Sequence, residues 1–160
     1  MDYEALMLEA IREAQLGVSE GEVPIGAAIG TWRDGEWQVV ARGRNRGGAL
    51  GRATAHAEMI AFESLPLGLG QPLVLATTLE PCLMCFGAAL VCGIEEIVFA
   101  MPAPGDHGAT KVEVPTDGLY RVPLLVSGIR ELECRALWDS WRESRAHFDL
   151  TFIDRLLGKW

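Results

Sequence analysis

Apolar residues recur at helical spacing near the start of the chain. Leu6, Ile11 and Ala14 fall on one side of residues 3–16 and Glu4, Glu9 and Glu13 fall outside, which predicts an amphipathic helix. The pattern then changes. Residues 23–29 form a nearly continuous apolar run with the character of a buried strand. Arg33-Asp34-Gly35-Glu36 predicts a hairpin turn, and residues 37–41 a second strand. Residues 42–53 read as a Gly/Arg loop, and Thr54 is placed to N-cap a helix running to about Ser64. Residues 72–78 predict a short apolar strand. Pro81 suits the first turn of the next helix, where its missing N–H costs nothing. That helix carries Cys82, Cys85, Ala88, Ala89 and Cys92 and can end at Gly93. Residues 96–100 and 122–126 predict two more strands around a loop-rich stretch at 101–117, and residues from 130 onward predict a long helix.

Helices alternating with short apolar strands imply a three-layer α/β/α sandwich around a mixed five-stranded sheet, its first two strands antiparallel and the later ones largely parallel. No repeat or linker divides the chain. Its 160 residues suit one domain, since domains run to ~100–200 residues, with residues 144–160 expected as a helical C-terminal extension. The longest uncharged apolar run, residues 82–94, has 13 residues, short of the ~20 a bilayer-spanning helix needs. The N-terminus is acidic and amphipathic, unlike a signal peptide, so a soluble cytoplasmic chain is expected with no membrane partner.

Charge changes the picture in one place. The formal net charge of −8 speaks against generic binding of nucleic acid or anionic membrane. The distribution is uneven, however. Residues 2–22 hold six acids and one base, whereas residues 42–52 hold Arg42, Arg44, Arg46 and Arg52 and no acid. Those arginines bracket Asn45 and run into the helix predicted after Thr54, which favours an anionic partner near that point.

Four cysteines are too few for a disulfide scaffold. Cys82 and Cys85 form a C-x-x-C, which in a reducing compartment means metal binding or thiol redox chemistry. Three apart in the first turn of a helix, their sulfurs face one side, and the positive helix end favours thiolates. His56 adds an imidazole, and three protein ligands with an open fourth position describe a catalytic zinc site, one ion per chain. Glu58 stands two residues from His56. On the side of a regular helix the two would diverge, so they can serve one site only if the helix points its N-terminus into it. Glu58 would then shuttle a proton without binding the metal. Cys92 and Cys134 read as buried small hydrophobes, and His107 and His147 as surface residues.

Together His56-Ala57-Glu58 and Pro81-Cys82-Leu83-Met84-Cys85 spell H-x-E…P-C-x-x-C, a recognised signature of zinc nucleobase deaminases. The chain resembles the cytidine deaminase-like superfamily, in the branch of bacterial tRNA adenosine deaminases and guanine or cytosine deaminases. Glu22-Val23-Pro24-Ile25-Gly26-Ala27, Arg44-Asn45-Arg46, residues 94–99 and residues 128–134 are similar to family segments, so the likeness covers roughly residues 2–143. The resemblance implies the cytidine deaminase-like fold, zinc on His56, Cys82 and Cys85, and Glu58 as proton shuttle. It also implies a substrate contact at Asn45, which is otherwise a turn residue, another through the backbone at Ala57, and a homodimer. Trp138, Trp141, Phe148, Phe152 and Trp160 offer further apolar surface for a second copy.

Two departures bear on the substrate. Arg52-Ala53 stands where the family has Asp-Pro, and residues 100–108 replace a Lys-Thr-Gly-Ala-type loop that handles the anticodon in the tRNA enzymes. The expected function is therefore hydrolytic deamination of an amino-substituted purine or pyrimidine base or nucleoside. The alternatives are tRNA wobble-adenosine deamination and a non-enzymatic structural zinc scaffold.

Overall fold

The computed structural model describes residues 2–69, 71–103, 107–114 and 118–145. In chain order the elements are α1 (Tyr3–Ser19), β1 (Gly26–Arg33), β2 (Glu36–Arg44), α2 (Gly47–Leu50), α3 (Ala57–Glu63), β3 (Leu73–Leu79), α4 (Leu83–Val91), β4 (Ile94–Met101), a 3-10 turn (Ala109–Lys111), β5 (Leu124–Ser127) and α5 (Glu131–Ser144). The strands form one mixed sheet in the order β2-β1-β3-β4-β5. β1 runs antiparallel to both β2 and β3, while β3, β4 and β5 are parallel.

The sheet separates two cores. On one side Leu6, Met7, Ala10 and Ile11 of α1 pack with Cys134, Trp138 and Trp141 of α5. On the other Ala57 and Ala61 of α3 pack with Phe86 and Ala89 of α4. The expected α/β/α layering is therefore present. Trp138 and Trp141 are buried in their own domain's core, so they are not the surface for a second copy that the sequence suggested. Phe148, Phe152, Trp160, His147 and the expected extension beyond Arg145 lie outside the described residues.

Three local expectations need correction. Residues 42–44 are not loop but the end of β2, because Arg44, Gly43 and Arg42 pair with Gly26, Ala27 and Ala28 of β1. The Gly/Arg segment after them includes the single turn α2. Thr54 does not cap α3. The Ala55 carbonyl accepts the Arg46 N–H at 2.9 Å, which commits it outside α3, and the cap falls to His56 with φ −70° and ψ 156°. Pro81 likewise lies just ahead of α4, whose N-cap is Cys82.

Two glycines set how closely the helices approach the sheet. A Cβ at Gly43 would stand 2.2 Å from the Ala57 carbonyl oxygen and 2.5 Å from the Ala61 nitrogen. At Gly26 it would meet the Ala10 oxygen at 2.1 Å and the Ala14 nitrogen at 2.4 Å. These contacts are with helix backbone, which cannot rotate away as a side chain can. Gly26→Ala and Gly43→Ala should each cost about 2–3 kcal/mol by overpacking, a fall in Tm of roughly 5–10 °C. Thermal unfolding checks the loss, and only Gly43→Ala, which displaces α3, should also weaken metal retention.

Candidate metal centre

The two helices that carry the sequence motifs both begin at the same end of the sheet, beyond the C-terminal ends of the parallel strands β3 and β4. That crevice is where open α/β sheets place their ligands. His56 and Cys82 are both N-cap residues with extended backbone, and neither uses its side chain to cap its own helix. Glu58 follows in the first turn of α3 and Cys85 in the first turn of α4. The divergence expected of His56 and Glu58 on a helix flank does not arise, because His56 precedes the helix and the helix end points inward.

The resulting triad is nearly equilateral. His56 Nδ1 lies 3.6 Å from Cys82 Sγ and 3.6 Å from Cys85 Sγ, and the two sulfurs are 3.6 Å apart. Zn–S bonds of ~2.3 Å and Zn–N bonds of ~2.0 Å at tetrahedral angles require about 3.8 Å between sulfurs and about 3.5 Å between sulfur and nitrogen. The donors already stand at the edges of such a tetrahedron, and two thiolates with one imidazole suit zinc. Among the described residues no further His, Cys, Asp or Glu joins the group. Cys92 ends α4 half-buried, Cys134 sits in the opposite core and His107 is exposed, so none closes the fourth position.

The electrostatics favour metal binding. The Cys82 thiol is lowered to about 4, first by its hydrogen bond with Cys85 and then by His56, which favours the thiolate form a metal needs. Cys85 is pushed up, first by that same partner and then by burial. His56 is raised, first by its hydrogen bond with Cys82. Glu58 is 4% exposed, and burial raises its carboxyl above the ordinary range. Its Oε2 lies 3.5 Å from Cys85 Sγ, and its Oε1 accepts from the Thr77 hydroxyl at 3.4 Å. Glu58 therefore stands beside the triad, not in it.

Three residues of this region were not singled out from the sequence. Thr77, fully buried on β3, supports Glu58. Glu22, 6% exposed, accepts from the Asn45 amide at 2.8 Å and from the backbone of α2. Glu80, 4% exposed, accepts from Ala103 N at 2.8 Å and Thr110 N at 2.7 Å, and so holds the loop after β4 against the Cys82 turn, where Cys82 pairs with Gly108. A Cβ on Gly108 would meet the Glu80 carboxyl carbon at 2.3 Å, so the loop depends on that glycine. For Glu80 the available signal was an acid directly before P-C-x-x-C, at the end of an apolar strand.

Asn45 follows the end of β2, half-buried, with its N–H donating to the Ile25 carbonyl at 3.1 Å. Ala57 is fully buried at the first position of α3. The arginines behave differently from expectation. Arg42 pairs with Glu9, Arg44 with Glu13 and Glu20, and Arg52 with Glu63. Carboxylates on α1, at its C-cap and on α3 thus engage three of the four arginines, and Arg44, held above its usual value by Glu20, is an internal strut. Arg46 alone of the four forms no ion pair among the described residues, and its Nε is buried without a partner.

The family described as the cytidine and deoxycytidylate deaminase zinc-binding region matches residues 1–101. The chain is 35% identical to the tRNA-specific adenosine deaminase of Bacillus subtilis (strain 168) over 149 residues, 89% of this chain and 90% of that protein. It is 43% identical over 139 residues to the tRNA(Ile)-lysidine synthase of Deinococcus radiodurans, spanning 83% of this chain but 23% of that longer protein. A solved structure from work on A-to-I editing by tRNA:A34 deaminases at the wobble position superposes with a TM-score of 0.68 at 33% identity, covering 83% of this chain and 98% of the other. No helix among the described residues is long and apolar enough to cross a membrane.

Purified protein should hold about one zinc per chain. His56→Ala and Cys85→Ala should each abolish retention and lower Tm by about 5 °C or more, because metal binding and folding are coupled. Cys92→Ser should keep the full metal content. Elemental analysis paired with thermal unfolding reads both, and zinc loss in the Cys92 variant would mean a four-ligand structural site.

Proposed function

Because the chain belongs to the cytidine and deoxycytidylate deaminase zinc-binding family and is a zinc-dependent aminohydrolase by that membership, we propose that it deaminates adenosine to inosine at the wobble position of tRNA. The observation that carries this reading is full-length similarity. At 35% identity over nine-tenths of both chains, the Bacillus subtilis relative shares the whole domain and not the metal motif alone. The likeness to the tRNA:A34 deaminase structure points the same way.

In this mechanism His56, Cys82 and Cys85 would hold the zinc. Zinc held there would supply an acidified water, its pKa lowered from 15.7 to ~7, as the nucleophile for an amino-bearing carbon. Glu58 would take one proton from the attacking water and give it to the ring nitrogen, then take the second from the hydroxyl added to the carbon and give it to the amine, which leaves as ammonia. Its burial suits both roles, since a carboxyl raised above its ordinary range holds and releases a proton nearer neutrality. Thr77 keeps one oxygen of Glu58 engaged, leaving the other toward the triad. Asn45 and the backbone at Ala57 contact the base or its sugar. Arg46, the arginine of its loop that forms no ion pair among the described residues, meets a phosphate of the anticodon loop.

A second reading, deamination of a free base or nucleoside, is favoured by one observation. Arg42, Arg44 and Arg52 are occupied by Glu9, Glu13, Glu20 and Glu63, which leaves little positive surface for a polyanion. A homodimer belongs to either reading. α4 carries no charged residue and exposes Leu83 and Val91, at 66% and 72%, beside Gly87, where open space would admit a second copy.

Ammonia release from an anticodon stem-loop with adenosine at the wobble position, set beside free bases and nucleosides, decides the substrate. The stem-loop should be deaminated, and a protein active on free guanine or cytosine alone would overturn the choice. With one arginine of the 42–52 segment left without an ion pair among the described residues, the log–log salt dependence of stem-loop binding should have a slope near −0.7, and Arg46→Ala should remove it. Glu58→Gln should retain zinc and fold while turnover falls by on the order of 10²–10⁴. Metal loss in that variant would make Glu58 a ligand. Mass measurement at micromolar concentration should give a dimer, and a monomeric mass removes that part of the proposal.

A further inference from the structure

Glu22 is a buried carboxylate with no part in the steps above. Its oxygens are committed to one loop: Oε2 accepts from Asn45 Nδ2 at 2.8 Å and from Gly48 N at 3.3 Å, and Oε1 accepts from Ala49 N at 2.7 Å. Among the described residues this is the only side-chain hydrogen bond of Asn45. Turning that amide over would set its carbonyl oxygen against a carboxylate oxygen, two acceptors at hydrogen-bond distance with nothing to share. The carboxylate therefore fixes which end of the amide faces away from it. The same segment is tied to the triad, since Arg46 N–H bonds the carbonyl of Ala55, the residue before His56.

We propose that Glu22 is a positioning residue that sets the polarity of Asn45. It holds the amide NH2 and leaves the carbonyl oxygen as the end presented to substrate. The substrate must then bring a donor to Asn45, a hydroxyl of the sugar or an N–H of the base. This rests on the reading of Asn45 as a substrate contact. It goes beyond that reading in assigning a direction to the contact and a cause for the direction. A glutamine at 22 cannot reproduce the arrangement. It offers one donor where the carboxylate accepts on both sides, and if it keeps Ala49 its NH2 meets that of Asn45 and the amide turns over.

The test is a double-mutant cycle in the zinc-loaded protein, with the anticodon stem-loop as substrate. Glu22→Gln and Asn45→Ala should each lower kcat/KM by about tenfold or more with zinc content unchanged. The double variant should lose no more than Asn45→Ala alone, because Glu22 acts through Asn45. Losses that multiply would show a merely structural clamp and overturn the proposal, as would Glu22→Gln at wild-type activity. Asn45→Asp should be worse than Glu22→Gln/Asn45→Asp, since the glutamine NH2 can donate to the new carboxylate, and the opposite order also overturns it. The Asn45 side-chain amide protons give a reading without turnover. One should resonate as a carboxylate-bonded proton in wild type and lose that shift in Glu22→Gln, and an unchanged spectrum counts against the clamp. A wild type that ignores the stem-loop but releases ammonia from a free base overturns the substrate reading alone, and the cycle is then run on that base.

Discussion

Three donors from two helices must meet at 3.6 Å, and everything near the site serves that requirement. His56 and Cys82 are 26 residues apart in sequence, so their separation is fixed only by how α3 and α4 are set on the sheet. A shift of half an ångström in either helix would move a ligand out of bonding range, because metal–ligand distances tolerate only about 0.2 Å. The packing removes that freedom. α3 lies directly on β2 at Gly43, backbone against backbone, and Phe86 and Ala89 of α4 share a close-packed core with Ala57 and Ala61. Triad geometry is thus a product of helix–sheet contact as much as of the ligating side chains.

Much of this was legible in the sequence, for a physical reason. Apolar periodicity reports burial, and burial is what separates strands from helices here, so the layers and the five strands could be read directly. The chemistry was legible because H-x-E and P-C-x-x-C are local, with their spacing set by one helical turn. What escaped was non-local. Thr54 looked like a cap because cap preference is a local property, yet the Arg46–Ala55 hydrogen bond moved the helix start by two residues. Glu22 and Glu80 gave no periodic signal, since a buried carboxylate is defined by the loop it holds and not by its neighbours in sequence. The arginine patch looked cationic for the same reason. Its partners on α1 and at the C-cap of that helix lie 24 to 33 positions away.

That last case bears on how net charge should be used. A surplus of acids in the first 22 residues and a surplus of arginines at 42–52 are two halves of one structural interface, Arg42 on Glu9 and Arg44 on Glu13 and Glu20. Partly exposed pairs of this kind contribute little stability each. Their larger effect is to withdraw charge from the surface, leaving Arg46 as the cation whose position beside Asn45 could matter to an anion.

The two cores divide the domain's obligations unequally. Every residue assigned to the metal or to its proton chemistry sits at the edge of the layer formed by α3 and α4, while α1 and α5 meet across the other face of the sheet through Leu6, Met7, Cys134, Trp138 and Trp141. Side chains on that second face touch no donor of the triad, so their volumes can drift together as long as the sheet stays covered. Divergence between relatives should accumulate there first, and a laboratory search for hardier variants has its widest latitude in the same layer. The face that does no chemistry is the one on which the domain can change without losing its trade.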